Sequence, residues 1–279
     1  MDPLVQALIL GIIQGLTEFL PISSSGHLIV VPALLGWDDA FISSLAYSVM
    51  LHVGTLAALL VYFRADWLRL VPAGVATLRD RSFRGDPNRR LAWILAAATV
   101  PAIIAGFLLN DLADSTFREP RLVAMALVVG AAILWLADRT GRRTKTIDDV
   151  GFGTALTIGI AQAAALVPGI SRSGISISAG LFAGLDRESA ARFSFLLATP
   201  ITALAGAYEA WGLVSGDAGF DLAPQVGALG VGMGAAFLAG LAAIAGLLRF
   251  LRTRPMTIFV VYRVVFAAII LAWWLGLDR

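Results

Sequence analysis

The sequence predicts an all-α polytopic membrane protein in which six transmembrane helices are joined by two re-entrant helix–turn–helix hairpins, arranged as an inverted repeat. Three observations predict it. Of 279 residues, 58% are hydrophobic and only 14% charged, against about 25% charged in a soluble domain. Apolar runs recur along nearly the whole length, each close to the ~20 residues a helix needs to cross ~30 Å of hydrocarbon. Two further apolar regions are each cut by a polar, turn-forming cluster, and these two regions resemble each other.

Composition excludes several classes. A soluble enzyme is ruled out, and the runs lack the alternation of an outer-membrane barrel strand. The chain has no cysteine, so disulfides, thiolate metal sites and a cysteine nucleophile are all excluded. The net charge is +2 and every basic residue but Lys145 is arginine. Those arginines fall in short loops rather than in a groove-sized patch, so nucleic acid is not an expected partner, whereas membrane lipids are. The opening Met1-Asp2-Pro3 has no basic segment before its apolar stretch, unlike a cleaved signal peptide. Residues 1–279 are read as a single integral membrane domain.

In chain order, the first broken region is 3–36, interrupted by Pro21-Ile22-Ser23-Ser24-Ser25-Gly26. Spans follow at 40–63, 91–109 and 121–137. The second broken region is 150–185, interrupted by Pro168-Gly169-Ile170-Ser171-Arg172-Ser173-Gly174, and the last spans are 190–214, 225–251 and 256–277. Pro, Gly and Ser side by side stop a helix, and polar backbone at membrane depth survives only inside protein or beside a watery cavity. Both broken regions therefore read as re-entrant hairpins.

A shift of 148 positions superposes them. Gly11 falls on Gly159, Gln14 on Gln162, Ser23 on Ser171, Ser25 on Ser173, Gly26 on Gly174, Gly36 on Gly184 and Asp38 on Asp186. The repeats extend over approximately 1–138 and 148–279. Arginines cluster between 63 and 91, after 137 and between 249 and 254, which the positive-inside rule assigns to the cytoplasm. Acidic connections at 110–120 and 215–224 take the other side. Threading the chain through these assignments inverts the repeats, so that both breaks meet near the bilayer centre.

An ionisable side chain at membrane depth costs about 2.5–3.5 kcal/mol on insertion scales, so each needs a reason. Glu18 lies one helical turn after Gln14 and one turn before the first break. His27 opens the helix after it, and Arg172 sits inside the second break. Two helix N-termini, at His27 and near Gly174, turn unpaired N–H groups and the positive ends of their dipoles into one pocket. Ser23, Ser24, Ser25, Ser171 and Ser173 add hydroxyl donors, and arginine adds a planar fork suited to phosphate. Phosphate or diphosphate is the expected ligand. Glu18 would repel a merely bound phosphate, so it points to catalysis, either as a base or as a ligand to a bridging Mg²⁺ or Ca²⁺. Glu209 and Arg263 read as a pair with each other or as snorkelling side chains, and the arginine-rich stretch 64–90 as a topology determinant and anionic-lipid contact.

The run Gln14-Gly15-Leu16-Thr17-Glu18-Phe19-Leu20-Pro21-Ile22-Ser23-Ser24-Ser25-Gly26-His27, with the second cluster from Pro168 to Gly174, resembles the two signature motifs of the bacitracin-resistance type undecaprenyl-diphosphate phosphatase family. The resemblance extends over the whole chain, including Leu51-His52-Val53-Gly54-Thr55. It implies a multi-pass plasma-membrane (inner-membrane) enzyme that removes the terminal phosphate from a C55-type polyprenyl diphosphate, recycling the lipid carrier for cell-wall synthesis and conferring bacitracin resistance. It also implies a site facing the extracytoplasmic side. The family's acidic motif is Glu or Gln, three intervening residues, then Glu. Here it is the Gln14 version, leaving Glu18 as the single carboxylate and weakening a two-carboxylate metal site. The family's serine and histidine roles map to Ser24 and His27, and its phosphate-binding arginine to Arg172. The expected catalytic residues are thus Glu18, Ser24, His27 and Arg172. Substrate contacts are expected from Gln14, Ser23, Ser25, Gly26, Ser171, Ser173 and Gly174. The nucleophile is water, Ser24 or His27. Because inverted broken-helix repeats are also a transporter architecture, the rival reading is a carrier or flippase of a phosphorylated polyprenyl lipid.

Overall fold

The computed structural model describes residues 1–114, 119–215, 221 and 223–277. Parts of both acidic connections, residues 115–118, 216–220 and Leu222, lie outside them. Among the described residues the chain is helical, and six helices are long and apolar enough to cross a membrane: Leu45–Tyr62, Pro87–Leu109, Pro120–Thr140, Arg187–Ser215, Ala223–Leu251 and Thr257–Gly276. They coincide with the six spans expected from the apolar runs.

Helix α1 (Pro3–Phe19) starts on Asp2, whose carboxylate accepts the Leu4 N–H at 2.7 Å, and carries proline in its first turn. It stops where Leu20 turns extended ahead of Pro21, as the residue before proline must. Helix α2 (Ser24–Leu35) is capped by Ser23 and ends on Gly36 at φ 63°, a left-handed position that glycine fills without strain. Ser44 caps α3 (Leu45–Tyr62). The stretch read as an arginine-rich loop is itself largely helical, α4 (Arg64–Asp80). Its Leu70, Ala73 and Thr77 are buried, while Leu68, Val71, Val75 and Leu78 are exposed. The mixture of arginine and apolar residues hid this amphipathic face from a search for spans. Helices α5 (Pro87–Asp114) and α6 (Pro120–Thr140) complete the first half.

In the second half, α7 (Phe152–Ala163) is followed by a 3-10 turn, and Ser171 caps α8 (Arg172–Phe182). Three long helices follow, α9 (Arg187–Ser215), α10 (Val226–Leu251) and α11 (Thr257–Leu277). Helix α1 packs on α10, α7 on α5, α3 on α9 and α6 on α11. Small residues set the closest approaches. A Cβ at Gly15 would lie 2.6 Å from the Ala236 carbonyl oxygen and from the Ala239 Cβ, so α1 and α10 touch backbone to backbone. Such contacts hold helices together where lipid gives no hydrophobic drive between them.

Ion pairs gather at one end of the bundle. Arg192 of α9 holds Asp66 of α4 at 2.6 Å, Arg187 holds Asp138 of α6 at 2.5 Å, and Arg252 holds Glu188 at 2.8 Å. The other oxygen of Asp138 accepts the Met256 N–H at 3.0 Å at the start of α11. The arginine-rich end is thereby cross-linked, and the two broken turns lie deeper in the bundle.

Candidate active site

Both breaks use the same local device. Ser23 and Ser171 stand at φ 74° and 72°, left-handed values that cost a non-glycine residue about 1 kcal/mol or more. Each then caps the following helix: Ser23 Oγ accepts the Gly26 N–H at 3.4 Å, and Ser171 Oγ accepts the Gly174 N–H at 3.1 Å. The reversal fits here because Gly26 and Gly174 leave room for it; a Cβ at Gly174 would lie 3.2 Å from Ser171 Oγ and 2.9 Å from Arg263 Nη1. The amides of Ser24, Ser25, Arg172 and Ser173 precede the first intrahelical bonds, which run from His27 to Ser23 and from Ile175 to Ser171, and among the described residues they have no acceptor, so they can receive an anion.

The two turns are bonded to one another. Gly169 donates its N–H to Ser23 Oγ at 3.0 Å, and Ser173 Oγ donates to the Leu20 carbonyl at 3.2 Å. Behind them lies Arg263, fully buried, which donates to the carbonyls of Leu127, Pro21, Gly169 and Ile170 at 2.7–3.3 Å. It does not snorkel and, among the described residues, pairs with no carboxylate; it holds the backbone of both breaks. Sequence reading undervalued it because main-chain carbonyls leave no trace in a search for opposite charges.

Glu18 lies at the centre of the polar groups. Arg172 Nη2 pairs with its Oε1, while Oε2 accepts from Ser24 Oγ at 2.5 Å and from Gln14 Nε2 at 3.1 Å. Arg172 also donates to Thr202 Oγ1 of α9. Glu18 is almost wholly buried, with 4% of its side chain exposed, whereas Arg172 keeps 20%. Four groups singled out in the sequence, Gln14, Glu18, Ser24 and Arg172, thus meet at the Glu18 carboxylate from three helices and both breaks. Ser23, Ser25, Gly26, Ser171, Ser173 and Gly174 form the walls that shape and join the turns.

His27 is turned elsewhere. Its Nδ1 donates to the Ser23 carbonyl at 2.7 Å, so its Nε2 is left to accept from the Tyr262 hydroxyl at 2.7 Å. Its ring lies flat on Phe266, with centroids 4.1 Å apart. The imidazole at the carboxylate is instead His52 of α3, whose Nε2 is 3.3 Å from Glu18 Oε2. Only two histidines occur in the chain, and the position of His52 within an apolar span was the available signal.

A resident divalent ion fits this donor set poorly. Mg²⁺ and Ca²⁺ take about six to eight oxygens, carboxylates foremost. Here one carboxylate has both oxygens engaged by a guanidinium, a hydroxyl and an amide, and Gln14 presents its N–H₂ group rather than a second carboxylate. Among the described residues no group of three or more His, Asp and Glu side chains could hold a metal.

Comparison with known proteins gives the same direction. The chain is 44% identical over 268 residues to an undecaprenyl-diphosphatase of Myxococcus xanthus, covering 96% of this chain and 88% of that one. It is 44% identical over 266 residues to one of Idiomarina loihiensis, covering 95% and 97%. An undecaprenyl-diphosphatase of Desulforudis audaxviator is 41% identical over 264 residues, covering 95% of each. The family described as bacitracin resistance protein BacA matches residues 7–269, and the chain belongs to that family.

Proposed function

We propose that this protein is an undecaprenyl-diphosphate phosphatase, which hydrolyses a C55-type polyprenyl diphosphate to the monophosphate and inorganic phosphate. The observation that carries the mechanism is the Ser24 hydroxyl donating to Glu18 at 2.5 Å while Arg172 grips the other carboxylate oxygen. A serine already bonded to a carboxylate is a nucleophile with its base in place, an arrangement worth about 10²–10⁴ in rate.

In this reading the terminal phosphate lies over the first turns of α2 and α8, held by their free amides and by Arg172. Ser24 Oγ attacks the terminal phosphorus as its proton passes to Glu18. The bond to the bridging oxygen breaks, and Arg172 stabilises the charge on the departing monophosphate. Water then hydrolyses the phosphoserine with Glu18 again as base. His27 orders the turn from behind through the Ser23 carbonyl. A divalent cation enters as the counter-ion of the diphosphate, as part of the substrate.

An open apolar groove of about 640 Å³ between α5 and α7, lined by Val100, Ile104, Leu108, Leu156, Ile160 and Ala163, supports a place for the prenyl tail between helices. The matched caps at Ser23 and Ser171, with α1 on α10 and α7 on α5, support the inverted repeat and the re-entrant hairpins; among the described residues of the second half α4 has no counterpart. The arginine-rich end supports a plasma-membrane orientation with the pocket opening outward, where recycling of the carrier would serve cell-wall synthesis and deplete the bacitracin target.

The test is phosphate release from undecaprenyl diphosphate by the detergent-purified protein beside Arg172→Ala. Release that depends on Arg172 is the expected result. Absence of release from the folded wild-type protein would overturn the reading.

A further inference from the structure

We propose that His52 takes from Glu18 the proton that Glu18 has taken from Ser24, so that Ser24, Glu18 and His52 form one proton relay. The inference rests on the phosphatase reading above and adds to it a residue that the signature motifs do not contain.

The geometry starts at the far side of the ring. His52 Nδ1 is 2.7 Å from the carbonyl of Ser48, one turn earlier in α3. A carbonyl only accepts, so Nδ1 carries a ring hydrogen, and in the neutral imidazole Nε2 then presents its lone pair. That lone pair faces Glu18 Oε2 at 3.3 Å, the oxygen that accepts from Ser24. With the carboxylate ionised, nothing bonds the two acceptors. Once Ser24 has surrendered its proton, a hydrogen lies between Oε2 and Nε2 and the contact becomes a hydrogen bond. The transferred state gains an interaction that the resting state lacks.

Exposure sets the direction of travel. His52 keeps 23% of its side chain exposed against 4% for Glu18, so the imidazole is the more open of the two to water. In balance, the Ser24 O–H bond breaks as the Oγ–phosphorus bond forms, the hydrogen passes to Oε2 and then to Nε2, and the leaving monophosphate takes the electron pair of the broken anhydride bond. In the second half the attacking water gives one hydrogen to the regenerated Ser24 through Glu18, and the other leaves with the phosphate or through His52. Of the charged groups on helices packed against α3, Asp66 of α4 pairs with Arg192 of α9, and Glu188 of α9 with Arg252 beyond α10, at the arginine-rich end.

The experiment measures kcat and KM of the detergent-purified full chain for undecaprenyl diphosphate, in wild type, His52→Gln, His52→Ala and Arg172→Ala. Glutamine keeps a polar side chain beside Glu18 but cannot take up the proton. The expected result is a fall of about 100-fold in kcat for His52→Gln with KM little changed, and recovery of His52→Ala on adding imidazole, which a purely structural residue would not show. Wild-type kcat in His52→Gln overturns the relay, as does a folded His52→Ala that imidazole leaves unchanged; where His52→Ala does not fold, His52→Gln decides alone. The two controls separate the failures. A silent wild type overturns the phosphatase reading and a fully active Arg172→Ala the role given to Arg172, whereas an active wild type and inactive Arg172→Ala beside unaffected His52 variants overturn the relay alone.

Discussion

Gly169 donates its main-chain N–H to the hydroxyl of Ser23 at 3.0 Å, joining the two breaks across 146 residues of sequence. The same oxygen accepts the Gly26 N–H that opens α2. One buried hydroxyl therefore caps a helix and fixes the distance between the turns, which sets where the free amides of α2 and α8 point.

Ser23→Ala should consequently cost more than an ordinary cap. It leaves two buried N–H groups without an acceptor, and each is worth about 1–3 kcal/mol, beside about 1 kcal/mol for a typical cap. The expected outcome is a clear fall in Tm in detergent together with reduced turnover. An unchanged Tm would show that the two turns are held apart from this bond.

Replacing Arg172 by lysine keeps the charge and removes the fork that reaches Glu18 and Thr202 together. Lysine presents a point charge on a flexible stem and cannot hold both partners in one plane. Turnover should fall by about 10²–10³, with the protein still folded, since the site's walls do not depend on this side chain. Full activity in Arg172→Lys would reduce Arg172 to a counter-charge for Glu18.

The engaged state of Glu18 bears on metal. With Arg172, Ser24 and Gln14 already on its two oxygens, Mg²⁺ or Ca²⁺ should show no binding by calorimetry to the substrate-free protein at micromolar levels. Heat should appear only when a non-hydrolysable diphosphate is supplied with the ion. Stoichiometric binding to the substrate-free protein would place the ion on the chain's own residues instead.

The legibility of this chain divides along physical lines. The six spans stood out because hydrocarbon selects for length and apolarity, a signal that side-chain detail does not blur. The meeting of Glu18 with Arg172 was readable because charges at membrane depth are few and need partners. His27 drew attention by its place in the motif, yet at the start of α2 its ring projects back toward α11, where Tyr262 and Phe266 receive it. His52 lies 34 positions from Glu18 on a different helix, and nothing local announces a neighbour that only the packing of α3 against α1 creates. Helix α4 escaped because its apolar face is interrupted by arginines, the pattern of a helix that need not cross.

Gly130 and Arg263 illustrate the same point and carry the last prediction. Arg263 fits against the backbone of α6 because position 130 has no side chain. A Cβ there would run into the guanidinium, and would stand 2.8 Å from the Ile170 carbonyl oxygen. Gly130→Ala should therefore push Arg263 off the carbonyls of Gly169 and Ile170, loosening the second break and lowering both Tm and turnover. Arg263→Met should do similar damage by a different route, since it strips four buried carbonyls of their donor. Once Arg263 is gone the methyl group at 130 meets less resistance, so the double variant should lose less than the sum of the two single losses, with a coupling of about 1–3 kcal/mol in thermal or chemical unfolding. Strictly additive losses would mean that the glycine serves the crossing of α6 and α11 alone and has no part in seating the arginine.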